Sequence, residues 1–120
     1  SVVTEEAWQC LFASTIFIRG ANPDGFEPDW TIINACNLRI DEYEDCGMNS
    51  PVAVIQSMEQ KKVVIVGTRY AGEIKKSIFY AMNFDMTEVD VFPMHCFAPV
   101  NYFMIFRPNL DKKQTFLSLC

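Results

Sequence analysis

The sequence has 120 residues, 50% hydrophobic and 21% charged, with a net charge of −5. This is the length of one domain with ordinary globular composition, enough for a modest core. The acidic balance excludes a general attraction to nucleic acid, and no apolar run is long enough to cross a bilayer.

In chain order, Thr4 stands as an N-cap, with Glu5 and Glu6 in the first turn, where carboxylates meet the positive end of a helix. Trp8, Leu11, Phe12 and Ile16 recur at helical spacing, so the pattern predicts an amphipathic helix over residues 5–18. The segment GANPDGFEPD is turn chemistry, with two prolines and two glycines, and TIINA after it reads as a short β-branched strand. Residues 37–51 are polar and acidic and read as a loop. PVAVIQ and KKVVIVG follow as two strands joined by SMEQ, a hairpin.

From Gly72 to about Phe84, the residues Ile74, Ile78, Phe79 and Met82 mark one apolar helical face. VDVFPMHCFA reads as a strand held to an edge or bulge by Pro93, YFMIF as another strand, and KKQTFLSL as the start of a helix. Helices mixed among strands predict an α/β fold, with α+β as the alternative, built as a mixed β-sheet with packed helices. Residues 1–120 make a single domain or a partial one. With no signal-peptide pattern, the expectation is a soluble, cytoplasmic protein or a soluble piece of one.

Five cysteines, at positions 10, 36, 46, 96 and 120, show no CxxC and no regular spacing. They fit neither a disulfide framework nor a structural zinc site, and read as reduced thiols. The basic residues come in pairs (Lys61-Lys62, Lys75-Lys76, Lys112-Lys113), a pattern shared by solvated faces and by anion sites.

The stretch GTRYAGEIKKSIF is a strand end, a glycine turn and a helix start. Gly67 and Gly72 either let the chain turn tightly or let a ligand approach the backbone, with lysines in the first helical turn meeting an anion. Farther on, the lone histidine of the sequence, His95, is either a hydrogen-bonded core residue or a metal ligand. A lysine joins a metal only after losing a proton, which requires burial or a neighbouring cation.

Four stretches decide between these readings: TEEAWQCLFASTIFIR, DWTIINA, VVIVGTRYAGEIKKSIFYAMNF and VFPMHC. In this order and spacing they resemble part of the N-terminal domain of ATP-dependent phosphoenolpyruvate carboxykinases. The resemblance spans nearly all of the chain and a minor part of such an enzyme. It implies the conversion of oxaloacetate and ATP to phosphoenolpyruvate, ADP and carbon dioxide, a lyase (decarboxylase) reaction of gluconeogenesis. It also implies manganese at the active site and magnesium with the nucleotide. By the same resemblance Tyr70 contacts the carboxylate substrate, Lys76 is a neutral-amine metal ligand that also meets substrate, and His95 is the imidazole ligand. Lys75 supports the electrostatics of that pocket as a catalytic neighbour. Loss of carbon dioxide leaves an enolate, whose charge nearby cations hold.

After VFPMHC the resemblance breaks. Where the family has a phosphate-binding P-loop, this sequence reads RPNLDKKQT. Arg107 and Lys112 stand in place of the two glycines of G-x-x-x-x-G-K-[ST], and Gln114 replaces the magnesium-binding hydroxyl. Lys113 keeps the lysine place as a remnant of nucleotide binding. Pro108 has no N–H to donate, and Asp111 brings negative charge toward phosphate. The family's third metal ligand, an aspartate, lies farther along than this sequence extends. Arg69 offers another cation beside Tyr70, but nothing in the sequence aims it.

Three readings stand: a segment of a working carboxykinase; a non-catalytic derivative, a pseudoenzyme or binding module; and a small anion- or metal-binding protein using Lys76 and His95 without nucleotide. The expected partners are small-molecule substrates, not nucleic acid or membrane. A segment of a larger domain also exposes apolar surface, so self-association is expected.

Overall fold

The computed structural model describes residues 1–17, 25 and 27–93. Among them are four strands and two helices: β1 (Val2–Thr4), α1 (Ala7–Ile16), β2 (Thr31–Ala35), β3 (Ala53–Ser57), β4 (Lys62–Val66) and α2 (Gly72–Thr87). The strands form one sheet in the order β1-β2-β4-β3. The β1–β2 and β2–β4 pairs are parallel and the β3–β4 pair is antiparallel, so the mixed α/β sheet expected from the sequence is present.

TIINA, the hairpin and the helix after Gly72 lie where the pattern predicts them. The hairpin turn passes through Lys61, whose φ of 50° lies in the left-handed region. Three expectations need correction. Val2, Val3 and Thr4 form a strand that the sequence reading lacked, and it pairs with Ile32, Ile33 and Asn34. Thr4 therefore ends a strand and does not cap the helix; Glu6 occupies the cap position, and its carboxylate turns to other partners. Residues 89–93 of the predicted VDVFPMHCFA strand are not in a strand. The rest of that strand, YFMIF and the tail helix lie outside the described residues.

The face of α1 also differs. Its buried residues are Gln9, Ala13 and Ile16, while Trp8 and Leu11 are exposed. A glutamine and an alanine at i and i+4 let the helix sit close to the sheet beside Ile16, with Trp8 and Leu11 turned away. On α2 the buried residues are Ile74, Ser77 and Ala81, with Ile78 packed beside the core.

Strand alternation sorts the sheet into two faces. Ile32, Val63 and Ile65 point to the helix-covered face and join Ile74 in the fully buried core, flanked by Val2, Phe17, Trp30 and Ile78. On the opposite face the register aligns Val3, Ile33, Val64 and Ile55 in one apolar row across all four strands. Val3, Ile33 and Ile55 are 56%, 41% and 56% exposed. Sheets with parallel strands are normally covered on both faces, whereas among the described residues no helix or strand covers this row.

Candidate functional site

The three parallel strands β1, β2 and β4 bring their carboxyl ends to one rim, the place where open α/β sheets bind ligands. From β4 the chain turns at Gly67, with φ of 77°, and passes through Thr68, Arg69, Tyr70 and Ala71 into α2. A side chain at Gly67 would meet two backbone carbonyls, Pro51 O at 3.0 Å and Leu38 O at 3.2 Å, so the turn needs glycine.

Tyr70 and Lys76 are brought together on this rim. The Tyr70 ring lies against Gly72, so closely that a Cβ there would strike it. Lys76 Nζ stands 4.8 Å from the ring centroid, in cation–π range, and 3.4 Å from Glu73 Oε1. The ring is 58% exposed and Lys76 is exposed as well, so the pair faces solvent. Lys75 is half-buried on the same helical turn and has no hydrogen-bond or ion-pair partner among the described residues. Gly67 permits the turn, as the first reading of GTRYAGEIKK expects, and the group that lies on Gly72 is the chain's own Tyr70 ring.

Behind this pair is a polar network that the sequence reading did not foresee. Arg69 donates from Nε and an NH2 nitrogen to Asn37 Oδ1, at 3.2 Å and 2.8 Å, and the same NH2 group stands 3.7 Å from Glu6 Oε1. Asn37 donates its side-chain N–H to Glu6 Oε1 at 3.3 Å and its backbone N–H to Glu5 Oε2 at 2.7 Å. Fully buried Gln9 accepts from the Thr4 hydroxyl and donates to the Arg69 carbonyl at 3.3 Å. The usable signal was topological: once β1 is recognised, Glu5, Asn37 and Arg69 all fall just past parallel strand ends.

Cys36 is buried within the same rim. Burial first, then a hydrogen bond from its thiol to Glu5 and the charges of Glu5 and Glu6, push that thiol up from its usual range. A thiol held protonated this way is a small core group and not a nucleophile. Cys10 and Cys46 are free and exposed.

His95 and Lys113 lie outside the described residues, so the structure does not bear on their expected roles. Among the described residues, no group of three or more His, Cys, Asp or Glu side chains is placed to hold a metal ion. The partners observed for Lys76, a carboxylate and a ring face, are those of an ammonium, whereas a metal ligand is the neutral amine. The described residues supply one of the two implied ligands and do not by themselves form a manganese site. Among them, too, no helix is long and apolar enough to cross a membrane.

Sheet, helices and rim define a class: an α/β segment presenting an aromatic ring and lysines past the carboxyl ends of parallel strands. The chain belongs to the phosphoenolpyruvate carboxykinase family, whose model, described as Phosphoenolpyruvate carboxykinase, matches residues 1–106. Similar proteins named Phosphoenolpyruvate carboxykinase (ATP) occur in Rubrobacter xylanophilus, 51% identical over 102 residues, and in Bacillus pumilus, 45% identical over 102 residues. These matches cover 82% and 83% of the chain and 19% of each relative. Phosphoenolpyruvate carboxykinase (ATP) 1 of Salinibacter ruber is 44% identical over 99 residues, which is 81% of the chain and 18% of that protein. The chain therefore spans about a fifth of the length of the curated relatives it matches.

Proposed function

We propose that this chain is a partial domain of an ATP-dependent phosphoenolpyruvate carboxykinase, carrying part of its substrate and metal site and inactive in isolation. The reaction of the whole enzyme is the conversion of oxaloacetate and ATP to phosphoenolpyruvate, ADP and carbon dioxide, in the cytoplasm. The observation that carries the reading is the Tyr70–Gly72–Lys76 arrangement at the strand-end rim. In it Tyr70 meets the carboxylate substrate and Lys75 adds positive charge. Lys76, as the neutral amine, and His95 would hold manganese, which would supply positive charge next to the reacting carboxylate. Nucleotide with magnesium is bound in the family by residues that this sequence replaces or does not contain, with Lys113 the remnant.

Calorimetric titration of the purified chain with manganese, and then with ATP in the presence of manganese, tests this. The expected result is no ATP binding and no decarboxylation of oxaloacetate; ATP binding in the range of a working enzyme overturns it. Heat from manganese that disappears in both Lys76→Ala and His95→Ala, without ATP affinity, would favour the third reading, a small anion- or metal-binding protein that works without nucleotide.

The apolar row of Val3, Ile33, Val64 and Ile55, with Trp8 and Leu11 on α1, supports self-association of the isolated chain. Sedimentation velocity across a wide concentration range is expected to show a rising weight-average coefficient. A concentration-independent monomer would count against it.

A further inference from the structure

We propose that Arg69 is a positioning residue: by bridging Asn37 and Glu6 it fixes the Gly67–Ala71 turn, so that the Tyr70 ring rests on Gly72 beside the Lys76 amine. The proposal rests on reading Tyr70 and Lys76 as the pair that meets a carboxylate ligand, and assigns them a support on two other strand ends.

By sequence alone Arg69 competes with the lysines as a cation for that ligand. The structure gives its guanidinium a different task. Two of its nitrogens converge on one oxygen, Asn37 Oδ1, and the nearby carboxylate of Glu6 offsets its charge. Asn37 is itself held by Glu5 and Glu6, so the guanidinium closes a link from the end of β4 to the ends of β2 and β1. The main chain of Arg69 is anchored separately, its carbonyl accepting from Gln9.

The next residue is Tyr70. Its N–H donates to the Thr68 hydroxyl at 3.1 Å, and its carbonyl accepts from the Glu73 N–H at 3.1 Å, where α2 begins. The backbone on either side of the ring is therefore fixed, and the ring itself lies against Gly72 and beside Lys76. A surface ion pair such as Arg69–Glu6 stabilises little alone, so the bridge acts through geometry and not through a large energy. A planar fork satisfies that geometry and a lysine, a point charge with the same sign, does not.

The test uses the full chain with isotopically labelled lysine. A tyrosine ring beside the Lys76 side chain displaces its ε-methylene proton resonance upfield, and Tyr70→Leu and Gly72→Ala define the resonance without that stacking. The Trp30 indole N–H donates to Asp85 Oδ2 at 3.1 Å, at the end of the fold away from the rim, and serves as the marker that a variant is folded. The expected result is that Arg69→Lys and Asn37→Ala each lose more than half of the displacement while the Trp30 resonance stays in place. An unchanged Lys76 resonance in these two variants, or full rescue by Arg69→Lys where Arg69→Ala fails, overturns the proposal. So does a resonance that Tyr70→Leu leaves unmoved. Because the readout involves neither manganese nor ATP, failure of the carboxykinase reading would leave it intact.

Discussion

Replacing Ile65 by alanine is expected to cost about 2–5 kcal/mol, the range for cutting a large aliphatic side chain back inside a core. Ile65 is fully buried on β4, paired with Asn34 on one side and Val54 on the other, and packs with Ile32, Val63 and Ile74. Strands on both sides hold the backbone in place, so the space left by the lost carbons closes only in part. Domains of ordinary stability have roughly 5–15 kcal/mol in hand, so a loss of this size is a large share of the total. Urea unfolding followed by tryptophan fluorescence measures the effect as a large fall in midpoint. A midpoint equal to that of the parent would mean that the core does not centre on β4.

The second large effect is expected at Gly67. An alanine there carries two penalties: a φ of 77° that L-residues rarely adopt, and a Cβ pressed against the carbonyls of Pro51 and Leu38. The backbone conformation alone costs about 1–3 kcal/mol, and the carbonyls belong to main chain that cannot swing aside as a side chain would. Gly67→Ala is expected to lower the urea midpoint and also to disturb the rim, since the turn into Tyr70 starts there. Gly72→Ala is the instructive contrast. The atoms nearest its added methyl are the far end of the Tyr70 side chain, so the ring moves and the fold stays. A Gly67→Ala variant as stable as the parent would show that the turn has room the structure does not provide.

Much of the sheet was legible because its signals are local. A β-branched run after turn residues gave β2, and two apolar runs separated by SMEQ gave the hairpin. Apolar residues at helical spacing gave α2. β1 was not legible, since three residues show no measurable period and its pairing partner lies some thirty positions away, at Ile32–Asn34. That one omission propagated. With Thr4 assigned to a cap, Glu5 and Glu6 looked like helix-dipole partners, when they are in fact strand-end groups holding Asn37 and Arg69.

The helix faces show a second limit. Helical spacing picked out Trp8, Leu11, Phe12 and Ile16; Ile16 is buried as expected, but Trp8 and Leu11 are exposed and the other buried positions are Gln9 and Ala13. Burial there follows close approach, which small residues permit. Asn34 illustrates the same point from the other side: a strand reading of TIINA does not foresee a fully buried asparagine whose side-chain oxygen and nitrogen have no hydrogen-bond partner among the described residues. Of the candidate site, the sequence supplied Tyr70, Lys75 and Lys76, and the structure supplied what lies behind them. Tyr70 and Lys76 stand in one local motif, whereas the polar groups behind them come from the ends of other strands.

The strand order has a kinetic consequence. Only β3 and β4 are joined by a tight connection, so their pairing closes a short loop and forms early, whereas β2 must dock on β4 across a long excursion. Assembly then runs outward from the hairpin, and β1, with three residues and one neighbour among the described strands, joins last of these four. The ladder between β1 and β2 is accordingly where the native state opens most readily to solvent exchange, well before the centre at β4 gives way.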